Sequence, residues 1–416
     1  MPSNLPATLP STRREFLQWS GRGIGLLAFS RFAPAFLVQS SSAGPMSPET
    51  GRPILVLVQL AGGNDGLNTL VPFEDANYYR LRPTLGIAKD RVLRLTDTHG
   101  LHPSCPELAR LFHDGQLGIV QNVGYPNPNR SHFRSTEIWE TASASSEFLP
   151  DGWIGRFMDN ACAGMPASHD PLGIHISNGE PQSFVSTHEH PTFGLIPKGG
   201  NRRENEENRR LLEALADVPG AAENDNASFL RHTLMDSLVT ERKVQQVLGA
   251  YQPAAEYPGN AFAGSLRNVA ALIAAGLPTR VYFVSLSGFD THSNQANQQA
   301  NLLATLSAGL AAFQQDLVRH QLDGQVLTMT FSEFGRRPNE NESRGTDHGT
   351  AAPLFVMGSR VKGGLHGTPP SLDLPPNQDL AFSTDFRGVY ATMLDRWLGC
   401  PSEKVLGGKF ATVPVV

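Results

Sequence analysis

The stretch Val326–Met357 combines two apolar runs with side chains that can do acid–base or metal chemistry. The runs Val326–Phe331 and Pro353–Met357 have the length and composition of strands. The polar loop between them contains Glu333, Arg336, Arg337, Asp347 and His348. Ligands of open α/β sheets bind beyond the carboxyl ends of the strands, so this loop is predicted to form part of an active site.

Two further acidic residues directly follow predicted strands. Asp65 comes after the apolar run Ile54–Leu60, and Asp290 comes after Arg280–Leu286. Strands that alternate with helices predict a mainly parallel sheet, whose carboxyl ends lie at one edge. The repeated position of acidic residues after strands therefore predicts one shared site.

The carboxylates of Asp65, Asp290 and Glu333 would repel one another if they converged without a cation. Together with His292 and His348 they form a donor set that suits a divalent ion such as Zn²⁺ or Mn²⁺. Such an ion polarises a phosphoryl oxygen and lowers the pKa of a bound nucleophile. Taken alone, each of these residues also has an ordinary structural explanation as a turn residue, a helix cap or a packed side chain.

Ser131 precedes a predicted helix, Phe133–Thr141, and serine is a preferred residue at the helix N-cap. A helix start also offers N–H groups to an anion, so Ser131 is a candidate nucleophile as well as a simple cap. Arg130 beside it could bind phosphate or sulfate through two hydrogen bonds. The neighbouring His132 is interpreted as either packed or exposed.

Composition and motifs argue against several classes of protein. The chain has 416 residues and a net charge of −5, which does not favour a nucleic acid or an anionic membrane as partner. Neither GxGxxG nor GxxxxGK[ST] occurs, so nucleotide binding is not predicted. A metal-free serine esterase is a weaker alternative, because no GxSxG elbow surrounds a serine. Three cysteines allow at most one disulfide, and whether Cys105 and Cys162 pair stays open.

The first 43 residues have the order of an export signal. Arg13 and Arg14 precede a weakly apolar run, Gly23–Val38, and small residues follow at 41–43. The paired arginines indicate the twin-arginine (Tat) route, which implies the Tat translocase as a partner and a periplasmic or extracellular location. Arg31 interrupts the apolar run, so no stable membrane span is expected.

Residues 44–416 are predicted to form one α/β domain, a doubly wound and mainly parallel sheet with helices on both faces. A loop-rich and helical insertion is expected at roughly 145–260, with short strand-like pieces near Leu172–Ile176 and Phe184–Val185. The remaining predicted helices are Pro103–Leu111, Ser265–Ala275, Gln295–His320 and Val389–Leu398.

Six motifs together resemble one known family. They are LVLVQLAGGNDGLNTLVP, SHF at 131–133, GFDTH at 288–292, SEFGR at 332–336, TDHGTAAPLFVMG at 346–358 and TDFRGVYATMLDRWLG at 384–399. The combination spans nearly the whole chain after the signal. It resembles the Tat-exported family known as domain of unknown function 1501, which looks like a branch of the alkaline phosphatase-like superfamily.

The resemblance implies an alkaline phosphatase-like α/β fold with two metal ions at the strand ends. It also implies a hydrolase of phosphate esters, or less readily of sulfate esters, with Ser131 as the nucleophile and Arg336 or Arg130 steadying the anion. Whether the ions are Zn²⁺, Mn²⁺, Mg²⁺ or Ca²⁺ stays open. The metal ligands that carry over are Asp65 and Glu333 for one ion, and Asp290, His292 and His348 for the other.

Some positions depart from the pattern of the superfamily. Asn294 stands where the histidine of an Asp-x-x-x-His pair is expected, and Phe334 stands where an imidazole is expected after Glu333. A metal site that lacks this imidazole suits a harder ion better than it suits zinc, which favours nitrogen ligands. Proline occupies the nucleophile position of a sulfatase motif in Pro126–Arg130, so a standard sulfatase is not expected. The departures favour the alternative function, a non-catalytic exported binding or assembly protein that keeps the fold with a degraded metal site.

Overall fold

The structure, a computed structural model, describes residues 52–161, 171–177, 179–188, 190, 192–195, 244–375 and 377–416. The predicted export signal at 1–43, Cys162 and residues 196–243 of the predicted insertion lie outside the described residues. In the described part of the chain, no helix is both long and apolar enough to cross a membrane.

Strands dominate the described residues between the helices. They are β1 (Ile54–Ala61), β2 (Leu70–Val71), β3 (Leu93–Arg94), β4 (Gly100–Leu101), β5 (Leu117–Gly124), β6 (Gly173–Ile176), β7 (Thr192–Leu195), β8 (Val281–Ser287), β9 (Val326–Phe331), β10 (Ala352–Met357), β11 (Gly364–His366) and β12 (Thr384–Asp385). The main sheet has the order β11-β5-β10-β9-β1-β8-β6-β7, and β12 also pairs with β5. The pairs are parallel except those of β10, which is antiparallel to β5 and β9. The short strands β2, β4 and β3 form a separate antiparallel sheet.

The helices connect the strands of the main sheet. They are α1 (Gly66–Thr69), α2 (Ala76–Leu81), α3 (Pro106–His113), α4 (His132–Thr141), α5 (Trp153–Ala161), α6 (Ala261–Ala274), α7 (Gln295–Arg319), α8 (Phe386–Thr392) and α9 (Ser402–Leu406). The helix α8 continues into a π-helical stretch, Met393–Leu398. Two short 3₁₀ turns lie at Gln182–Phe184 and Asp323–Gln325, and residues 244–250 are also helical.

The central strand β1 shows why helices cover both faces of the sheet. Alternate side chains from Ile54 to Leu60 pack into a core with residues of α3, α6 and α7. Leu55 and Leu57 point the other way, into a core with residues of α4, α5 and α8. A strand buried on both faces needs the nearly continuous apolar run that the sequence shows. The predicted doubly wound α/β architecture is confirmed, while the division into an export signal and one domain with an insertion stays a prediction.

Two local expectations differ from the structure. The strand-like piece near Phe184–Val185 is instead part of the 3₁₀ turn Gln182–Phe184. There the N–H of Ser183 donates to the side chain of Glu140 rather than to a neighbouring strand. The last long helix begins at Phe386, three residues before its predicted start, because Asp385 caps it by accepting a hydrogen bond from the Arg387 N–H.

Glu140, on α4, carries a buried carboxyl group whose ionisation opposes folding. Burial raises the pKa of Glu140 from 4.5 to about 7, although hydrogen bonds from the N–H groups of Gln182 and Ser183 act in the opposite direction. Between pH 4.5 and about pH 7 the unfolded chain has released the Glu140 proton and the folded chain keeps it. The free energy of unfolding therefore falls as the pH rises through this range. At 1.36 kcal/mol per pH unit, the loss is about 3 kcal/mol.

Replacing Glu140 with glutamine is expected to remove this part of the decline, because an amide stays neutral throughout. Urea unfolding of both proteins at pH 5 and pH 8 measures the effect. Relative to the native protein, Glu140→Gln should gain about 3 kcal/mol of unfolding free energy between the two conditions. Parallel stability profiles for the two proteins would contradict the assignment.

Candidate metal centre

Five side chains that can bind a metal or move a proton meet at the carboxyl edge of the parallel strands. Asp290 and His292 follow β8, and Glu333 follows β9. His132 is the first residue of α4, which comes after β5, and His348 precedes the antiparallel strand β10. Because β10 runs back against β9, the loop between them lies at the same edge as the ends of β1 and β8.

The turn after β1 holds the ends of three strands together. Gly62 has a φ of +119°, which a residue with a side chain rarely adopts, and a Cβ there would lie 2.3 Å from the backbone nitrogen of Asp290. The N–H of Gly62 donates to Oε1 of Glu333 at 2.8 Å. Glycine therefore allows the ends of β1, β8 and β9 to approach closely.

Three imidazole Nε2 atoms surround the carboxylate of Asp290. Nε2 of His292 lies 3.0 Å from Oδ1 of Asp290, and Nε2 of His348 lies 3.2 Å from the same oxygen. Nε2 of His132 lies 3.5 Å from Oδ2. Among the described residues, His132, Asp290 and His348 offer ligand atoms that all lie within 4.8 Å of one another, a spacing that one metal ion can bridge.

Two of these imidazoles have their outer nitrogen fixed by an acceptor. Nδ1 of His348 lies 2.8 Å from the carbonyl oxygen of Arg130, and Nδ1 of His132 lies 2.9 Å from Oε1 of Glu333. A carbonyl or carboxylate oxygen only accepts, so Nδ1 carries the proton and the neutral ring presents the lone pair of Nε2. Histidine ligands of metal ions usually have such a partner on the other nitrogen.

The contact between His292 and His348 points most directly to a cation. Their Nε2 atoms are 2.9 Å apart. Nδ1 of His292 faces Oδ1 of Asp347 at 3.3 Å, so this ring also directs its Nε2 lone pair inwards. Two lone pairs at such a separation repel each other unless a proton or a metal ion lies between them. Imidazole nitrogens with one carboxylate are a donor set typical of Zn²⁺ and related divalent ions.

The ionisation of Asp290 and the basicity of His132 both suit the binding of a cation. Burial raises the pKa of Asp290, but the hydrogen bond and the charge of Arg336, together with the neighbouring imidazoles of His348 and His292, outweigh it and bring the pKa to about 2. The hydrogen bond to Glu333 raises the pKa of His132 by more than burial lowers it. Asp290 is therefore anionic at neutral pH, and His132 is a more basic imidazole than usual.

Phe334 occupies the position where the resemblance led us to expect an imidazole. Its ring is buried, with its centroid 4.9 Å from the His132 ring and 4.6 Å from the His348 ring. A phenyl ring has no ligand atom. The Phe334 ring packs against both imidazole rings and limits how far they can tilt.

Asp65 is fully buried, and its carboxylate is bound by groups of the protein. Nη1 of Arg82 lies 2.5 Å from Oδ2, Nη2 lies 2.9 Å from Oδ1, and Gln295 also donates to Oδ2. The resemblance led us to expect that Asp65 and Glu333 share an ion. In the structure Asp65 contacts Arg82 and Glu333 contacts His132, because a buried carboxylate needs a cationic or donor group beside it.

Arg336 forms a buried clamp and does not project towards solvent. Its guanidinium donates to Oδ1 of Asp290 at 2.7 Å. It also donates to the carbonyl oxygens of Gly62, Gly63, Phe289 and Thr346. The predicted role of Arg336 in steadying a substrate anion therefore competes with a role in holding three turns together.

Replacing Arg336 with methionine is expected to destabilise the fold by about 3–5 kcal/mol, because the change removes a fully buried guanidinium and leaves several buried carbonyl groups without a donor. The neighbouring Arg337 provides the matched control. Its side chain is 31% exposed and lies 3.5 Å from Asp379, so Arg337→Met should cost less than about 1 kcal/mol. Denaturant unfolding measures both values, and equal losses would contradict the clamp.

Ser131 stands exposed before α4, where the sequence predicted it. Within the described part of the chain its hydroxyl caps no N–H of the helix, and its own N–H donates to Oδ1 of Asn129 at 2.8 Å. The first N–H groups of a helix have no carbonyl partner within it. The hydroxyl and these N–H groups are therefore available to an anion.

The side chain of Arg130 lies at the rim of the site. It is 44% exposed and pairs with Asp379 at 3.0 Å, while its carbonyl oxygen contacts His348. Exposed ion pairs contribute little free energy, so this guanidinium can exchange Asp379 for a substrate oxyanion. Arg130 is thus better placed than Arg336 for the predicted anion-binding role.

The structure brings together five of the predicted site residues, Asp290, His292, Glu333, Arg336 and His348. It adds His132, for which the sequence left two interpretations open. The available signal was the SHF motif, which places an imidazole beside the serine at a helix start.

The comparisons with known proteins agree with the resemblance found in the sequence. Residues 52–399 match the family described as "Protein of unknown function (DUF1501)". The chain belongs to the DUF1501 family. No curated protein matches this DUF1501 chain in sequence.

Several solved structures resemble this DUF1501 protein. One is Ps i-CgsB in complex with k-i-k-neocarrahexaose, with a TM-score of 0.37 and 9% identity, covering 86% of this chain and 73% of that one. Another is the C-terminal periplasmic domain of EcEptC from Escherichia coli in complex with Zn, with a TM-score of 0.34, 11% identity, and coverage of 76% and 75%. A third is a TAB5 alkaline phosphatase mutant with Mg bound, with a TM-score of 0.32, 11% identity, and coverage of 74% and 92%. One fold can host many activities, so the function has to be argued from the site.

Proposed function

We propose that this DUF1501 protein is an exported hydrolase of phosphate esters that depends on a divalent metal ion. The observation that carries the proposal is the convergence of His132, Asp290 and His348, whose ligand atoms all lie within 4.8 Å of one another, beside an exposed serine at a helix start. An ion bound by His132, Asp290 and His348 would polarise a phosphoryl oxygen and offset its negative charge.

Ser131 acts as the nucleophile in this proposal. The bond from its Oγ to phosphorus forms while the bond from phosphorus to the alcohol oxygen breaks. The serine proton passes to solvent, and the leaving alkoxide gains a proton. Water then attacks the phosphoserine, which releases phosphate and restores the hydroxyl. The N–H groups at the start of α4 and the guanidinium of Arg130 hold the remaining phosphoryl oxygens.

Phosphate esters suit the site better than sulfate esters for reasons of charge. A phosphate monoester carries up to two negative charges near neutral pH, and a sulfate monoester carries one. The cationic groups offered are Arg130 and the proposed ion, and Coulomb attraction grows with the charge of the substrate. The predicted twin-arginine signal at 1–43 supports activity outside the cytoplasm, with the protein exported after folding.

One observation favours the alternative function, a non-catalytic binding or assembly protein. Buried guanidinium groups already accompany two of the acidic residues, since Arg82 contacts Asp65 and Arg336 contacts Asp290. The fold therefore does not require an ion to offset these carboxylates. A protein that binds no divalent ion after careful purification would support this alternative.

Removal of the metal is expected to abolish hydrolysis reversibly. The mature protein should hydrolyse p-nitrophenyl phosphate, lose this activity after dialysis against a chelator, and regain it with Zn²⁺ or Mn²⁺. p-Nitrophenyl sulfate, assayed in parallel, should be the poorer substrate. Turnover that survives complete removal of metal would contradict the metal dependence, and bound metal without turnover of any ester would favour the binding protein.

A further inference from the structure

The side chain of Arg82 already places a positive charge beside the carboxylate of Asp65. The guanidinium of Arg82 is fully buried, and two of its nitrogens contact both oxygens of the Asp65 carboxylate. Its remaining donors are also used, since Nε donates to the carbonyl oxygen of Pro338 at 2.7 Å and Nη2 to that of Arg337 at 3.0 Å. Gln295 adds a further hydrogen bond to Asp65. Arg82 is therefore fixed, and it cannot move aside for an ion without losing all of these partners.

The carboxylate of Glu333 also already has hydrogen-bond partners within the protein. Its side chain is buried, and its Oε1 accepts hydrogen bonds from the N–H of Gly62 at 2.8 Å and from Nδ1 of His132 at 2.9 Å. The next residue, Phe334, fills the adjacent space with a ring that offers no ligand atom. A second ion at this strand end would lack the imidazole ligand, and at Oε1 it would have to displace two hydrogen-bond donors.

We infer that the centre takes a single divalent ion, and that Arg82 stands in place of the second ion that Asp65 and Glu333 were expected to share. The inference rests on the proposed metal centre at His132, Asp290 and His348. Arg82 contacts both oxygens of Asp65 and Gln295 adds a second donor to Oδ2, whereas Arg336 contacts only Oδ1 of Asp290 and leaves Oδ2 to a ligand. Glu333 then acts as a positioning residue, which orients His132 from the side away from the ion.

The number and magnetic state of bound Mn²⁺ ions test this inference on the native protein. The mature chain is loaded with excess Mn²⁺, freed of loosely held metal and analysed by elemental analysis and electron paramagnetic resonance. We expect one equivalent of Mn²⁺ with the hyperfine pattern of an isolated ion. Two equivalents, or the pattern of two exchange-coupled ions, would overturn the inference.

A paired substitution tests whether Asp65 is a ligand. Changing Asp65 alone would leave a buried charge unpaired, so Asp65→Asn is combined with Arg82→Gln, which keeps neutral groups that can hydrogen-bond. The double variant should still bind one equivalent of Mn²⁺ with a Kd within about twofold of the native value, as expected for groups that share no partner with the ion. Loss of the ion in the folded double variant would overturn the inference. His348→Ala serves as the reference for a lost ligand and should bind none.

Failure of this inference is distinguishable from failure of the proposed function, because counting ions does not depend on turnover. One bound ion without ester hydrolysis would remove the hydrolase and leave the single-ion centre. Two bound ions with hydrolysis would remove the single-ion centre and leave the hydrolase.

Discussion

Replacing Ser131 with alanine is expected to lower kcat for phosphate esters by on the order of 10⁴-fold or more, because loss of a nucleophile removes the covalent route. Ion binding should be unchanged, since Ser131 is not among the groups around Asp290. The fold should be equally stable to within about 0.5 kcal/mol, because the hydroxyl caps no N–H of α4 in the described chain. The measurements are kcat on p-nitrophenyl phosphate, bound metal and urea unfolding of the same preparation.

The conservative variant Ser131→Thr provides the control for this prediction. It keeps a hydroxyl at the start of α4 and should retain measurable turnover. A trapped phosphoenzyme, detected by mass spectrometry after an acid quench, should form in the native protein and be missing in Ser131→Ala. Equal turnover by the native protein and Ser131→Ala would eliminate Ser131 as the nucleophile, whatever the metal content.

Replacing His348 with alanine is expected to abolish both ion binding and hydrolysis. Nε2 of His348 contacts both His292 and Asp290, and the hydrogen bond from its Nδ1 to the carbonyl oxygen of Arg130 fixes the direction of the Nε2 lone pair. Changing a residue that only orients a histidine ligand costs about 10–100-fold in metal affinity, so loss of the ligand itself should cost more than this. Calorimetric titration with Zn²⁺ and the ester assay measure the two effects.

Two comparison variants make this prediction specific. Glu333→Gln should weaken ion binding by about 10–100-fold, because Glu333 contacts the ion only through His132. His366→Ala should leave the affinity unchanged, since His366 lies on the edge strand β11 and bonds the carbonyl oxygen of Lys362. Unaltered ion affinity in His348→Ala would show that the ion is held elsewhere.

The strands that position the site could be predicted from the sequence because they are buried on both faces. The strand β9 has the predicted bounds Val326–Phe331, and β1 ends one residue beyond its predicted end. The convergence of Asp290, Glu333 and His348 followed from the rule that the carboxyl ends of parallel strands share an edge. These predictions depend on periodicity and topology, which the order of residues determines directly.

The partners of the charged side chains could not be predicted in the same way. Arg82 lies 17 residues from Asp65, at the C-cap of a short helix whose orientation relative to β1 no motif specifies. Arg336 reaches carbonyl oxygens of turns as far as 274 residues away. The packing of these turns decides which buried carboxylate contacts a guanidinium and which contacts an imidazole. The spacing of residues along the chain therefore could not predict the partners of Asp65 and Glu333.

The most direct test of the metal centre is anomalous diffraction from crystals of the mature protein grown with Zn²⁺, recorded on both sides of the zinc absorption edge. The account predicts one anomalous peak within coordination distance of the Nε2 atoms of His132 and His348 and of the Asp290 carboxylate. It also predicts that Arg82 still contacts Asp65. A well-ordered site with no anomalous peak between these side chains, or with the zinc bound at Asp65 instead, would contradict it.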